Sequence, residues 1–101
     1  GPMRLENQHI FITGSTTGIG EHMARRFVAE GAKVILHGRS VERAEVLRQE
    51  LGEASTAFVQ GDLGDAEDLE RMAQEASEAF GQVDGGFGDH DGGCGCLATP
   101  R

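Results

Sequence analysis

Residues 10–20 read Ile10-Phe11-Ile12-Thr13-Gly14-Ser15-Thr16-Thr17-Gly18-Ile19-Gly20. Three consecutive apolar residues without polar alternation suit a strand covered on both faces, as in a parallel sheet. The glycines that follow allow positive φ and close approach of the backbone to another group. The N-terminus of the helix beyond them offers unpaired N–H groups and a partial positive charge, the setting in which a nucleotide phosphate is held. A glycine pattern on its own is weak evidence. Between a buried strand and a helix it gains meaning.

The remaining elements follow from periodicity and punctuation. His9–Thr13 is a predicted strand and Gly14–Gly18 a turn. A helix is predicted over Ile19–Glu30, with Ile19, Met23 and Phe27 recurring every four residues and Gly31 as its C-terminal cap. Lys33–His37 is a second strand. Ser40 caps a helix over Val41–Leu51, whose apolar stripe is Val41, Ala44, Leu47 and Leu51 and whose stop is Gly52. Thr56–Gln60 is a third strand. Asp65 caps a third helix with Asp68 in its first turn and Leu69, Met72, Ala73, Ala76 and Phe80 along its buried stripe, and Gly81 closes it. Alternation of strand and helix predicts an α/β fold with a parallel sheet. Right-handed crossovers place the first two helices on one face and the third on the other. Val83-Asp84 reads as the start of a fourth strand, interrupted at once by Gly85, Gly86 and Gly88.

The chain has 101 residues and a formal net charge of −8, with 38% hydrophobic residues, five Phe and neither Trp nor Tyr. That is room for one small domain with a modest aliphatic core and a thin stability margin. The acidic balance argues against nucleic acid, which demands a basic face. No apolar run reaches the length of a membrane span, and no signal peptide is evident. Cys94 and Cys96 lie close together near the end and make no disulfide framework, so a cytoplasmic setting is expected. Gly1-Pro2 ahead of Met3 reads as a tag scar. The expected organisation is a domain over residues 3–84 and an irregular tail over 85–101, in which six of 17 residues are glycine. Asp89, His90, Asp91, Cys94 and Cys96 are individually capable metal ligands, but their spacing matches no common zinc pattern, so no metal site is expected. His22 and the Arg25, Arg26 and Glu30 face of the first helix read as solvated, and His37 as a satisfied structural histidine.

Thr13-Gly14-Ser15-Thr16-Thr17-Gly18-Ile19-Gly20 resembles the T-G-x-x-x-G-I-G motif of the short-chain dehydrogenase/reductase family, and differs from the G-x-G-x-x-G of other Rossmann dehydrogenases. Gly31-Ala32-Lys33-Val34, Asp62-Leu63 and Gly81-Gln82-Val83-Asp84 resemble further landmarks of that family, so the likeness spans Leu5 to Asp84. The resemblance implies a partial Rossmann-like fold of three parallel strands and three helices that lacks the family's C-terminal half. It implies a cofactor site of Gly14, Ser15, Thr16, Thr17, Gly18, Ile19, Gly20, Gly38, Arg39, Ser40, Asp62 and Leu63. The hydroxyls of Ser15, Thr16 and Thr17 are expected to donate to phosphate. Asp62 is expected to accept from the adenine amino group, to form an Asx-type turn, or both.

Where many NAD-preferring members carry an acidic residue after the second strand, this chain has Gly38 followed by Arg39, whose guanidinium suits a 2′-phosphate. NADP(H) is therefore expected over NAD(H). The family's catalytic Ser and Tyr-x-x-x-Lys set has no counterpart, because Tyr is absent and the single Lys is Lys33 on the second strand. The reading is an NADP(H)-binding half of an oxidoreductase, truncated, catalytically inactive by itself and weak in nucleotide affinity. The alternative is a non-enzymatic self-associating or regulatory module built on the same fold. An exposed edge on the first strand is expected to drive homo-oligomerisation, with a full-length family member as a further partner.

Overall fold

The computed structural model describes residues 5–6, 8–80 and 96–100. Its elements are β1 (Gln8–Ile12), α1 (Gly18–Ala29), β2 (Lys33–Gly38), α2 (Val41–Leu51), a 3-10 turn (Glu53–Ser55), β3 (Thr56–Gln60), α3 (Ala66–Glu78) and β4 (Cys96–Pro100). The sheet order is β3-β2-β1-β4. β1, β2 and β3 are parallel neighbours, with Ile12 beside Leu36 and Gly38 beside Gln60. The three parallel strands and three helices match the fold expected from sequence.

The absence of alternation in β1 has its cause in the layering. Ile10, Ile12, Val34 and Leu36 face α1 and α2, where they pack with Ala24 and Leu47. Phe11, Ile35 and Val59 face α3 and pack with Met72 and Ala76. Both faces are covered, so neighbouring residues on a strand are apolar alike.

The helix ends follow the predicted punctuation. Ser40 accepts from the Arg43 N–H at 3.2 Å. Asp65 accepts from the N–H groups of Glu67 at 2.9 Å and Asp68 at 3.1 Å. Gly31 takes φ 97° while its N–H reaches Val28 and the Ala32 N–H reaches Phe27, which together form a Schellman motif. Two stripe assignments are corrected. Ile19 is 76% exposed and Val41 48% exposed, because each lies in the first turn of its helix, beyond the carboxyl edge of the sheet.

A second correction concerns the tail. Residues 96–100 form β4, which pairs antiparallel with β1 from Gln8 opposite Pro100 to Ile12 opposite Cys96. The β1 edge expected to stand open is therefore occupied, because an unpaired row of backbone groups beside a buried strand is satisfied by any extended segment that reaches it. Pro100, which has no N–H to give, lies at the strand's end on the sheet's outer edge, where a proline is tolerated. Gly1-Pro2, Gly81, Val83-Asp84 and the remaining tail, including Asp89, His90, Asp91 and Cys94, lie outside the described residues.

Candidate dinucleotide site

The carboxyl ends of β1, β2 and β3 come together at one rim of the sheet. In open α/β sheets ligands bind outside that rim. The structure brings the Gly14–Gly20 turn, Gly38-Arg39 and Gly61-Asp62 there, each following its own strand.

Gly14 and Gly18 have φ near +60°, the left-handed region in which a side chain is strained. Gly20 is needed for space. A Cβ there would strike the Gly14 carbonyl oxygen and lie 2.8 Å from Ser15 Cα. At Gly18 the opposite holds, since a Cβ would meet nothing within 4 Å. The turn is therefore tight on its inner side and open on its outer side. The Thr17 side chain makes no capping bond to α1, although Ser40 and Asp65 cap α2 and α3. The α1 N-terminus is thus left without a side-chain cap, next to the open outer side of the turn at Gly18.

One residue fastens the turn to the sheet. The Gly14 N–H donates to His37 Nδ1 at 2.8 Å, and the Ser15 N–H donates to the His37 carbonyl at 2.8 Å. The His37 N–H donates to Ser15 Oγ at 2.8 Å, and that hydroxyl in turn lies 3.3 Å from the His37 carbonyl. His37 Nε2 lies 2.9 Å from the Gly61 carbonyl, so the ring ties all three strand ends together. Ser15 is fully buried, with its hydroxyl engaged by the His37 backbone. The satisfied histidine read from sequence is present. What the sequence concealed is that it organises the glycine turn, because residues 14 and 37 are separated by a whole helix.

Thr16 packs against Gly38, where a Cβ would lie 2.6 Å from Thr16 Oγ1. The missing side chain at the end of β2 therefore makes room for the turn and puts no carboxylate at position 38. Arg39 is exposed and lines a shallow hollow of about 280 Å³ with Gln60, Gly61, Asp62, Asp68 and Arg71. Its carbonyl accepts from Gln60 Nε2 at 2.9 Å. Arg71 is engaged with the Gln60 carbonyl, Asp68 and Glu75. Asp62 Oδ1 accepts from the Gly64 N–H at 2.9 Å, an Asx turn, and the Asp62 N–H donates to Asp68 at 3.0 Å. Leu63 packs partly into the core cluster beneath α3. Ser40 Oγ accepts the Arg43 N–H as the cap of α2 and keeps its own O–H as a donor.

On the other side of the turn, Arg25 pairs with Glu21 at 2.8 Å and Glu50 at 2.5 Å, joining α1 to α2. The hydrogen bond to Glu21 and then that to Glu50 raise its pKa, so it remains a cation. Among the described residues no group of three or more His, Cys, Asp or Glu is placed to hold a metal. No helix among them is long and apolar enough to cross a membrane.

The sequence matches the family described as short chain dehydrogenase over residues 8–85. It is 35% identical over 95 residues to hydroxysteroid 11-beta-dehydrogenase 1-like protein A of Xenopus laevis, covering 91% of this chain and 33% of that protein. It is 37% identical over 82 residues to meso-2,3-butanediol dehydrogenase of Serratia marcescens, covering 81% of this chain and 33% of that protein. Its fold matches the crystal structure of a short chain dehydrogenase from Bacillus anthracis str. 'Ames Ancestor' with a TM-score of 0.69 and 32% identity, covering 83% of this chain and 34% of that one. The chain therefore spans about a third of the length of these relatives. A strand–glycine turn–helix unit with this geometry, matched along most of the chain, makes this sequence a member of the short-chain dehydrogenase/reductase family.

Proposed function

We propose that these 101 residues bind NADP(H) through its diphosphate and adenosine half and do not by themselves transfer hydride. The observation that carries this reading is the open, uncapped N-terminus of α1 beside a turn whose inner side is closed by Gly14 and Gly20. The N–H groups there hold the diphosphate, and Arg39 takes the 2′-phosphate in preference to the bare ribose of NAD(H). Asp62 is fixed by its Asx turn where it meets the adenine edge.

The dinucleotide supplies hydride chemistry when bound. What these residues do is grip and orient it. The family's proton-handling Tyr and its partner Lys have no counterpart among them, since Tyr is absent and Lys33 begins β2, at the opposite end from the glycine turn. A half-site of this kind binds weakly, because most of the contacts that would hold the nicotinamide are not supplied. A cytoplasmic setting belongs to the same proposal and rests on the lack of a disulfide framework.

Fluorescence titration of the chain with NADPH and, separately, NADH tests the reading. Saturable binding with NADPH ahead of NADH supports it. Equal affinities would remove the role of Arg39, and no saturation with either would remove the nucleotide site.

A further inference from the structure

We infer that His37 is a positioning residue for the diphosphate cradle, acting as a neutral imidazole with its proton on Nε2, and that protonating it loosens the cradle. The inference rests on the nucleotide-binding reading above.

The tautomer follows from the partners. A backbone N–H can only donate, so Nδ1, 2.8 Å from the Gly14 nitrogen, must accept. A backbone carbonyl can only accept, so Nε2, 2.9 Å from the Gly61 oxygen, must carry the proton. Neither role can be exchanged, and a ring protonated at both nitrogens would set an N–H against the Gly14 N–H. Gly14 is the residue whose positive φ starts the turn. Its carbonyl is the surface on which Gly20 rests in the first turn of α1. Losing the bond to His37 therefore releases the element that aims the α1 N–H groups.

The ring is buried, 6% exposed, on the α3 face of the sheet. Phe11 of β1 meets it edge-on, with ring centroids 6.3 Å apart. The titratable and charged groups on the surrounding elements include His9 on β1, Lys33 on β2, Asp62 and Asp65 in the loop after β3, and Glu67, Asp68, Glu70, Arg71, Glu75 and Glu78 on α3. Lys33 lies over the Phe80 ring, and His9 meets that ring edge-on. Asp62 accepts from Gly64, Asp68 from the Asp62 N–H, and Arg71 donates to the Gln60 carbonyl. At Nδ1 the Gly14 N–H donates at 2.8 Å.

Two substitutions separate the ring's nitrogens. His37→Asn places a carbonyl oxygen near the position of Nδ1 and does not titrate. His37→Gln reaches toward Gly61 and leaves the Gly14 N–H without its acceptor. The first measurement is nitrogen-15 NMR of the full chain, reading the His37 ring and the exchange of the Gly14 amide. At pH 8 the wild type is expected to show an unprotonated Nδ1, a protonated Nε2 and a protected Gly14 amide, with protection lost as the ring titrates.

The second measurement is calorimetric titration with ADP-ribose, whose diphosphate charge is constant between pH 5.5 and pH 8. Wild-type affinity is expected to fall about tenfold on acidification, the equivalent of one hydrogen bond. His37→Asn is expected to show a flat profile, and His37→Gln the weakened affinity at both pH values. A proton on Nδ1 at pH 8, or the same pH slope in the wild type and His37→Asn, overturns the inference. If ADP-ribose binds neither chain at any pH, the nucleotide reading fails, while the ring tautomer and the Gly14 exchange still decide whether His37 holds the turn.

Discussion

Gly20 rests directly on the Gly14 carbonyl. The first turn of α1 is pressed so closely to the end of β1 that a methyl group at residue 20 would also stand 2.8 Å from Ser15 Cα. All of these obstacles are backbone atoms, which cannot swing aside as a side chain can. Gly20→Ala should therefore lower stability by roughly 1–3 kcal/mol, the usual cost of overpacking. It should also abolish nucleotide binding by displacing α1. Urea unfolding and NADPH titration of the same preparation check both effects.

The Arg39 side chain is exposed, so its removal should spare the fold. Arg39→Ala is expected to weaken NADPH binding about tenfold, one charge-assisted hydrogen bond, and to leave NADH unchanged. Gly38→Asp brings a carboxylate to the same rim and should disfavour NADPH further. It also pushes against Thr16 Oγ1, so its thermal midpoint should fall where that of Arg39→Ala does not.

The helix caps give a matched pair. Asp65 holds two N–H groups of α3, and Asp65→Ala should cost about 1 kcal/mol. Thr17 occupies the same position on α1 and makes no capping bond, so Thr17→Ala should change stability by less than about 0.5 kcal/mol. Equal losses in denaturant unfolding would mean that the α1 N-terminus is internally satisfied and has nothing to offer a phosphate.

Met72 is fully buried against Phe11, Ile35 and Val59, the only large fully buried side chain that α3 contributes. Met72→Ala should cost about 2–5 kcal/mol. In a domain this small that approaches the whole margin, so the far-ultraviolet circular dichroism of this variant should already show loss of structure at room temperature.

Removing residues 96–101 takes away β4 and bares the β1 edge. The shortened chain should self-associate more strongly than the full one at equal concentration in sedimentation velocity runs, because an unpaired edge beside a buried strand is a template for another chain. Identical sedimentation of the two would mean that β4 does not guard the edge.

Most of the parallel part of the fold was legible from residues 8–80, because each signal there is local. Three apolar residues in a row announced β1 as doubly covered. Ser40, Asp65 and Gly31 marked helix ends by chemistry that acts within a few residues. The glycine turn was legible for the same reason. The bonds of Ser15 to the His37 backbone were not legible, because the strand that supplies them lies a whole helix away along the chain. The first-turn residues Ile19 and Val41 were misread because periodicity places a residue on a face without saying that the sheet has already ended beneath it.

The amino-acid sequence by itself determined the strand–turn–helix unit, its glycines and its charge pattern, since these depend on φ, on sterics and on contacts only a few residues apart. Tertiary structure alone decided that His37 fastens Gly14 and Gly61, that Gly38 makes room for Thr16, and that β4 turns back antiparallel onto β1. Each of those joins residues that are distant along the chain. A hydrogen bond or a close contact between such residues exists only once the strands have been brought side by side.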